Sequence, residues 1–230
     1  MMPLDDSILG QGVYTPREAA RLVGTSSQQV LRWTRGSGVK EPLWNAHYQF
    51  LDKDVTEISF LDLIEVRVVT ALRRANISLQ AIRFAIDFAK NRYGINRPLA
   101  SQSFQTDGDE ILMEAIEEGG NLVSLAKKRP GQKVFREIID QSLNDLEYEK
   151  DTAARWRPRD YSDVIIDPER QFGDPILDAF GLSTGIIYKE FKQSNDLPYL
   201  SQVYEVPESV LRTCVKFEQD LDEVHGQSSL

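Results

Sequence analysis

The chain is poor in the residues that metal and redox chemistry favours. It has one cysteine, Cys214, and two histidines, His47 and His225, in 230 residues. A lone cysteine excludes an internal disulfide, and no Cys pair or His cluster has metal-ligand spacing. No apolar run reaches membrane-spanning length. Met1-Met2-Pro3-Leu4-Asp5-Asp6 lacks the basic and apolar regions of a signal peptide. A reducing cytoplasm is expected, with no membrane, metal or cofactor. No Gly-rich loop follows a strand to cradle phosphate, and no nucleophile elbow is visible. Asp160, Asp163, Asp167, Asp174 and Asp178 lie close in sequence, and a metal-dependent nuclease would need such acids convergent in one pocket. Without a His or Lys base beside them, scattered surface carboxylates are the commoner arrangement. No residue is assigned a catalytic role.

Basic charge is scarce overall: the formal net charge is -9. Its distribution is uneven. Residues 1–90 hold eleven Lys/Arg against ten Asp/Glu, a net of +1, and residues 91–230 carry a net of -10. The front of the chain can approach nucleic acid. The back would be repelled by it and suits a basic protein, although an acidic surface often serves solubility alone.

What the chain does have is a 41% hydrophobic fraction, enough for folded cores, and a clear helical signature from Tyr14 to Gly36. Thr15 can cap a first helix, with Pro16 at its first position and Glu18 completing a capping box. Ala19, Ala20, Leu22 and Val23 supply a buried side, and Gly24 breaks the helix at a tight turn. Ser26 can cap a second helix, with Gln29 at the capping-box position. Val30, Leu31 and Trp33 are its apolar side, and Gly36 ends it. Ser27, Gln28, Gln29, Arg32 and Arg35 remain as a polar face. Glutamine pairs bidentately with adenine, and arginine with guanine or phosphate. The second helix therefore reads as a recognition helix. An ordinary helical hairpin has a similar pattern, but Arg17, Arg21, Arg32, Arg35 and Lys40 against Glu18 alone make a local basic excess.

After Gly36, Leu43-Trp44 and Tyr48-Gln49-Phe50-Leu51 are strand-like around Asn45, the expected place for a wing. Lys40, His47 and Tyr48 could touch phosphates there, and Trp44 is expected to pack on the helix below. Ser59 can cap a helix to about Ala75, and Ser78 another to about Tyr93. Their stripes are Leu61, Ile64, Val68, Ala71 and Leu72, then Leu79, Ile82, Ile86, Ala89 and Tyr93. Met1 to Val13 reads as an arm.

Farther on, Ser103 to Thr106 and Glu110 to Met113 flank Asp107-Gly108, a strong hairpin signal. Asn121 to Lys127 is a strand candidate, Lys133 to Leu143 a helix, and Leu146 to Tyr148 and Ala153 to Trp156 two more strands. Arg157-Pro158-Arg159-Asp160 reads as a linker. Then come a short strand at Val164-Ile165-Ile166, a turn at Phe172-Gly173-Asp174-Pro175, and helices from Gly185 to Lys192, Pro198 to Val203 and Pro207 to about Val224. The last buries Val210, Leu211, Cys214, Phe217 and Leu221.

Helix-turn-helix, wing and a following helix pair is the order of MerR-like winged-helix DNA-binding domains. Gly24 to Trp33 resembles the second helix of the MerR and excisionase type, and Ala71 to Arg83 that family's later helix pair. The likeness covers about residues 13–90. It departs from MerR regulators in lacking their long terminal coiled-coil helix, because Gly94 and Pro98 stop the chain first. Residues 162–221 resemble the domain of unknown function 433, in Asp167-Pro168, Phe172 to Ile176, Gly181-Leu182-Ser183-Thr184, and the helix pair Leu200 to Tyr204 and Val210 to Phe217. Members often resemble VapB-like antitoxins encoded beside a PIN-like nuclease toxin.

The expectation is an α+β, mostly helical chain. Residues 1–95 are a winged helix-turn-helix, 96–158 a small α+β middle module, and 159–230 a three-helix bundle with a short β-arm. The resemblance implies a DNA-binding antitoxin, not an enzyme, that neutralises a PIN-like toxin and represses its own operon. A ligand-sensing regulator is the alternative. Thr15, Arg17, Ser27, Gln28, Gln29, Arg32, Arg35, Lys40 and Tyr48 are the expected DNA contacts. Phe172, Tyr188, Phe191, Tyr199 and Tyr204 are the expected partner contacts. A homodimer follows from the two-fold symmetry of most operators.

Overall fold

The computed structural model describes residues 9–38, 40–50, 52, 54–119 and 132–228. In chain order its elements are α1 (Pro16–Val23), α2 (Ser27–Arg35), a 3-10 turn (His47–Phe50), α3 (Phe60–Arg74), α4 (Leu79–Tyr93), α5 (Gln102–Gly119) and α6 (Gln132–Leu143). Strands β1 (Leu146–Glu149), β2 (Thr152–Trp156), β3 (Val164–Ile166), β4 (Pro175–Leu177) and β5 (Leu182–Ser183) follow. Helices α7 (Thr184–Ser194), α8 (Leu197–Tyr204) and α9 (Glu208–Ser228) complete them. The fold is mostly helical α+β, as the composition and periodicity predict. The strands form one sheet in the order β1-β2-β3-β4-β5. β3 and β4 pair antiparallel with Val164 opposite Leu177 and Ile166 opposite Pro175, and β4 pairs β5 with Leu177 opposite Leu182.

The described residues form two compact units, each assembled from segments far apart in sequence. The first draws on Met1–Leu31, His47–Phe60 and Arg155–Leu230. The second draws on Arg32–Ala46 and Leu61–Ala154.

In the first unit α7, α8 and α9 close over Val164, Leu177, Ile187, Leu200, Val206, Leu211, Cys214 and Phe217. Each such aliphatic or aromatic side chain contributes about 1.5–3 kcal/mol by leaving water. Asp196 caps α8 through the Tyr199 N–H at 2.9 Å. Cys214 is a small core residue, as expected. Burial, with Glu218 nearby, pushes its thiol up to about 12. Gln11 to Val13 does not behave as an arm: the Gln11 carbonyl accepts from Phe60 N–H at 2.8 Å, and Val13 N–H donates to the Phe172 carbonyl at 2.8 Å. Residues 1–8 lie outside the described residues.

In the second unit α5 packs on α4 and on α6. Here the hairpin expected around Asp107-Gly108 is corrected to the continuous helix α5. Gly108 is needed for contact rather than for a turn. A Cβ there would lie 2.9 Å from Ile139 Cδ1 and 3.0 Å from Phe104 Cδ1. The expected strand at 121–127 lies outside the described residues. Tyr93 is corrected too: it is 46% exposed and donates to Glu114 at 2.6 Å instead of joining the α4 core stripe. Trp44 is buried as expected, its indole N–H donating to Asp62 on α3 at 2.9 Å.

Candidate nucleic-acid interface and partner face

The α1–turn–α2 segment forms as its residues dictate. The Thr15 hydroxyl accepts from Glu18 N–H at 3.2 Å, and Glu18 Oε2 accepts from Thr15 N–H at 2.8 Å. Both partners of a capping box are therefore present, which fixes where α1 starts. Gly24 ends α1 with φ 68°, a left-handed conformation that glycine takes without strain. Ser26 Oγ accepts from Gln29 N–H at 3.3 Å at the start of α2.

The expected DNA contacts fall into three groups. Arg17, Gln28, Gln29, Arg32 and Lys40 are exposed, and Gln28 and Arg32 share one face of α2 at a four-residue spacing. Gln29 is partly committed, since its Oε1 accepts from the Thr25 hydroxyl. Thr15, Ser27 and Arg35 are half-buried, with Thr15 held in its cap. Tyr48 is a correction: it is only 3% exposed, and its hydroxyl donates to the Gly12 carbonyl, so it belongs to the core. The expected wing is corrected with it. A 3-10 turn occupies His47–Phe50, and the described residues between 37 and 58 form only the bridges Ser37–Lys40 and Ile58–Tyr14. Arg21 drops out of the basic excess, because it pairs with Glu218 at 2.7 Å and Asp222 at 2.7 Å on α9.

Within the second unit, Arg32 and Lys40 line a concavity of about 480 Å³ with Trp33, Leu43 and Arg83. Arg83 shapes its wall by donating to the carbonyls of Pro42 at 2.5 Å and Glu41 at 2.8 Å. Gly36 makes the bend possible. Its φ is 79°, and a Cβ would come 2.3 Å from the Lys40 carbonyl.

The five expected partner contacts divide as well. Phe172 and Tyr199 are exposed at 55% and 54%. Tyr188 is half-buried under Lys192, whose ammonium lies 4.2 Å from the ring centre. Phe191 and Tyr204 pack against the core of the first unit. Sequence reasoning missed Phe180, Ile186 and Val203, which are 39%, 57% and 51% exposed. Only the solvent-facing side of each element reveals them, and hydropathy alone reads them as core. Two of the five clustered aspartates are held in ion pairs: Asp167 meets Arg155 at 3.2 Å, and Asp178 meets Arg157 and Arg170 at 2.9 and 2.6 Å. Among the described residues no group of His, Cys, Asp and Glu could hold a metal ion. None of the described helices is long and apolar enough to cross a membrane.

No protein-family model matches the chain. Among solved structures, the crystal structure of Rv2018 from Mycobacterium tuberculosis superposes with a TM-score of 0.69 at 28% identity, covering 88% of this chain and 96% of that one. A fold that helical, with its small sheet, is thus shared by a natural relative. A protein of Mycobacterium tuberculosis (strain ATCC 25618 / H37Rv), provisionally named antitoxin VapB45, is 31% identical over 165 residues, 67% of this chain and 69% of the relative. The chain belongs to the VapB45-like antitoxin family.

Proposed function

We propose that this protein is a DNA-binding antitoxin of a type II toxin–antitoxin system. It neutralises a PIN-like nuclease toxin encoded next to it and represses its own operon, in the cytoplasm and as a homodimer. The observation that carries the reading is its kinship with a relative named as an antitoxin. The capped α1–turn–α2 segment supports the DNA half: Gln28 and Arg32 stand exposed on one face of α2. The net charge of -10 over residues 91–230 supports the toxin half, since a nuclease that grips nucleic acid presents basic groups to an acidic inhibitor. In functional terms residues 1–95 read DNA in the manner of MerR-like proteins. Residues 96–158 connect, and residues 159–230, like the domain of unknown function 433, face the toxin.

The test uses the full chain, because each compact unit draws on distant segments. Co-expression with the neighbouring gene should restore growth and yield a co-purifying complex. Anisotropy with the DNA upstream of its own gene should show binding. Arg32→Ala should weaken that binding about tenfold, and Gln28→Ala should relax sequence preference more than affinity. Growth arrest that persists, with no complex, would remove the antitoxin role. A second reading, a ligand-sensing regulator, is favoured by the concavity of about 480 Å³ that Arg32, Lys40 and Arg83 line. It predicts that a small anion, and no neighbouring protein, changes the DNA affinity.

A further inference from the structure

We propose that the cleft between the β2–β3 and β4–β5 loops receives an arginine or lysine side chain of a partner protein, with Phe180 and Phe172 as the apolar anchors around it. For the identity of that partner, the proposal rests on the antitoxin reading above.

The cleft belongs wholly to the first unit. It measures about 300 Å³ and is lined by Ser162, Asp163, Asp178, Ala179, Phe180 and Val210. Its two carboxylates are in different situations. Asp178 is committed: Arg170 donates to it at 2.6 Å and Arg157 lies at 2.9 Å. Asp163 is placed by its backbone, whose carbonyl accepts from Asp178 N–H at 2.9 Å, and its carboxylate has no side-chain partner among the described residues. One uncommitted negative group thus stands between the apolar walls of Phe180, Ala179 and Val210. A charged tip on a long aliphatic stem matches that combination, and a cation gains further over an aromatic face. Phosphate would meet a carboxylate instead, so nucleic acid is the wrong occupant.

The backbone beside the cleft is constrained to hold an aromatic outward. Gln171 and Phe172 have φ of 45° and 56°, a region that bulky side chains rarely adopt. Three bonds enforce it. The Phe172 carbonyl accepts from Val13 N–H at 2.8 Å, the Gly173 carbonyl accepts from the Tyr14 hydroxyl at 2.9 Å, and the Gln171 amide donates to the Gly181 carbonyl. The last bond ties the Phe172 loop to the turn that carries Phe180. Both rings remain exposed, at 55% and 39%. Aromatic anchors around a desolvated arginine are the usual make-up of an interface hot spot. The net of -10 over residues 91–230 favours a basic partner over a second copy of this acidic chain.

The experiment titrates the purified full chain with the product of the neighbouring gene by calorimetry. Wild type should bind. Asp163→Lys and Phe180→Ala should each weaken binding at least about tenfold, and Phe172→Ser about threefold or more. Asp163→Asn should lose affinity and flatten the salt dependence between about 50 and about 300 mM. Asp107→Lys, the same charge change on α5, should stay within about twofold because a remote exposed charge is screened. Circular dichroism and urea midpoints should match wild type throughout. If wild type binds and the Asp163 and Phe180 variants bind equally well, the site is wrong while the antitoxin reading stands. If wild type binds nothing, reading and site fall together. Equal weakening by Asp107→Lys would replace the cleft by a diffuse acidic surface. A change of oligomeric state in Asp163→Lys by light scattering would make the occupant a second copy, and would also overturn the proposal.

Discussion

Glu218 in the first unit and Glu65 in the second are each 2% exposed, and both face an arginine. Glu218 has donors of its own: Arg21 at 2.7 Å and the Thr184 hydroxyl. Glu65 shares one. Arg97 lies 2.6 Å from Asp62 and 3.1 Å from Glu65, and Glu65 Oε2 is left without a hydrogen-bond partner. Burial pushes Glu65 up to about 7, with Arg97 opposing and Asp62 adding to the rise. A buried carboxylate with dedicated donors acts as a clamp. One that competes for a guanidinium becomes a proton store, because desolvation outweighs a shared attraction.

The largest effect that could break this contrast is expected from Arg97→Ala. It takes the guanidinium from both Asp62 and Glu65, leaving Asp62 with the Trp44 indole, and should cost about 4 kcal/mol in urea unfolding. Arg21→Ala takes the guanidinium from buried Glu218, which keeps only the Thr184 hydroxyl, and should cost about 3 kcal/mol. If the two losses are reversed, the ranking of the clamps is wrong. Next comes pH. The folded state of Glu65 holds a proton that the unfolded chain releases near 4.5, so that contribution to stability is present below about 4.5 and is lost as pH rises through about 7. The loss should total about 2–3 kcal/mol, read from urea midpoints across that window. Glu65→Gln should remove the slope and unfold within about 1 kcal/mol of wild type at neutral pH, whereas Glu218→Gln should not be neutral. Trp44→Phe, which deletes one indole donor to Asp62 and leaves Arg97 in place, should cost less than either arginine loss, about 1.5–2 kcal/mol.

Local chemistry was legible in the chain, and distant chemistry was not. The Thr15–Glu18 box, the Gly24 and Gly94 stops and the Ser78 cap are settled by neighbours within four residues, and the helices begin and end there. The apolar stripe of α3, and that of α4 up to Ala89, followed for the same reason. Asp107-Gly108 misled because the signal for a turn and the need for a small residue between α5 and α6 use the same letter. The wing misled because Tyr48 is drawn inward by the carbonyl of Gly12, 36 residues earlier. On α2, the exposure of Gln28 and Arg32 was legible from helical spacing. Asp163 and Phe180 were not, since their significance depends on loops that only the sheet register brings together.

The pairing of Arg21 with Glu218 has a temporal side. The two residues are 197 positions apart. At about 5–20 residues per second, translation separates them by about 10–40 s. Throughout that interval α1 has its cap but no α9 to lie on, and the first unit cannot close until residues 155–230 have emerged. The newly made front of the chain is therefore exposed to chaperones and proteases on every round of synthesis. Slower elongation lengthens that interval, so slowing translation between residues 21 and 218 is expected to lower the yield of folded protein without changing its stability.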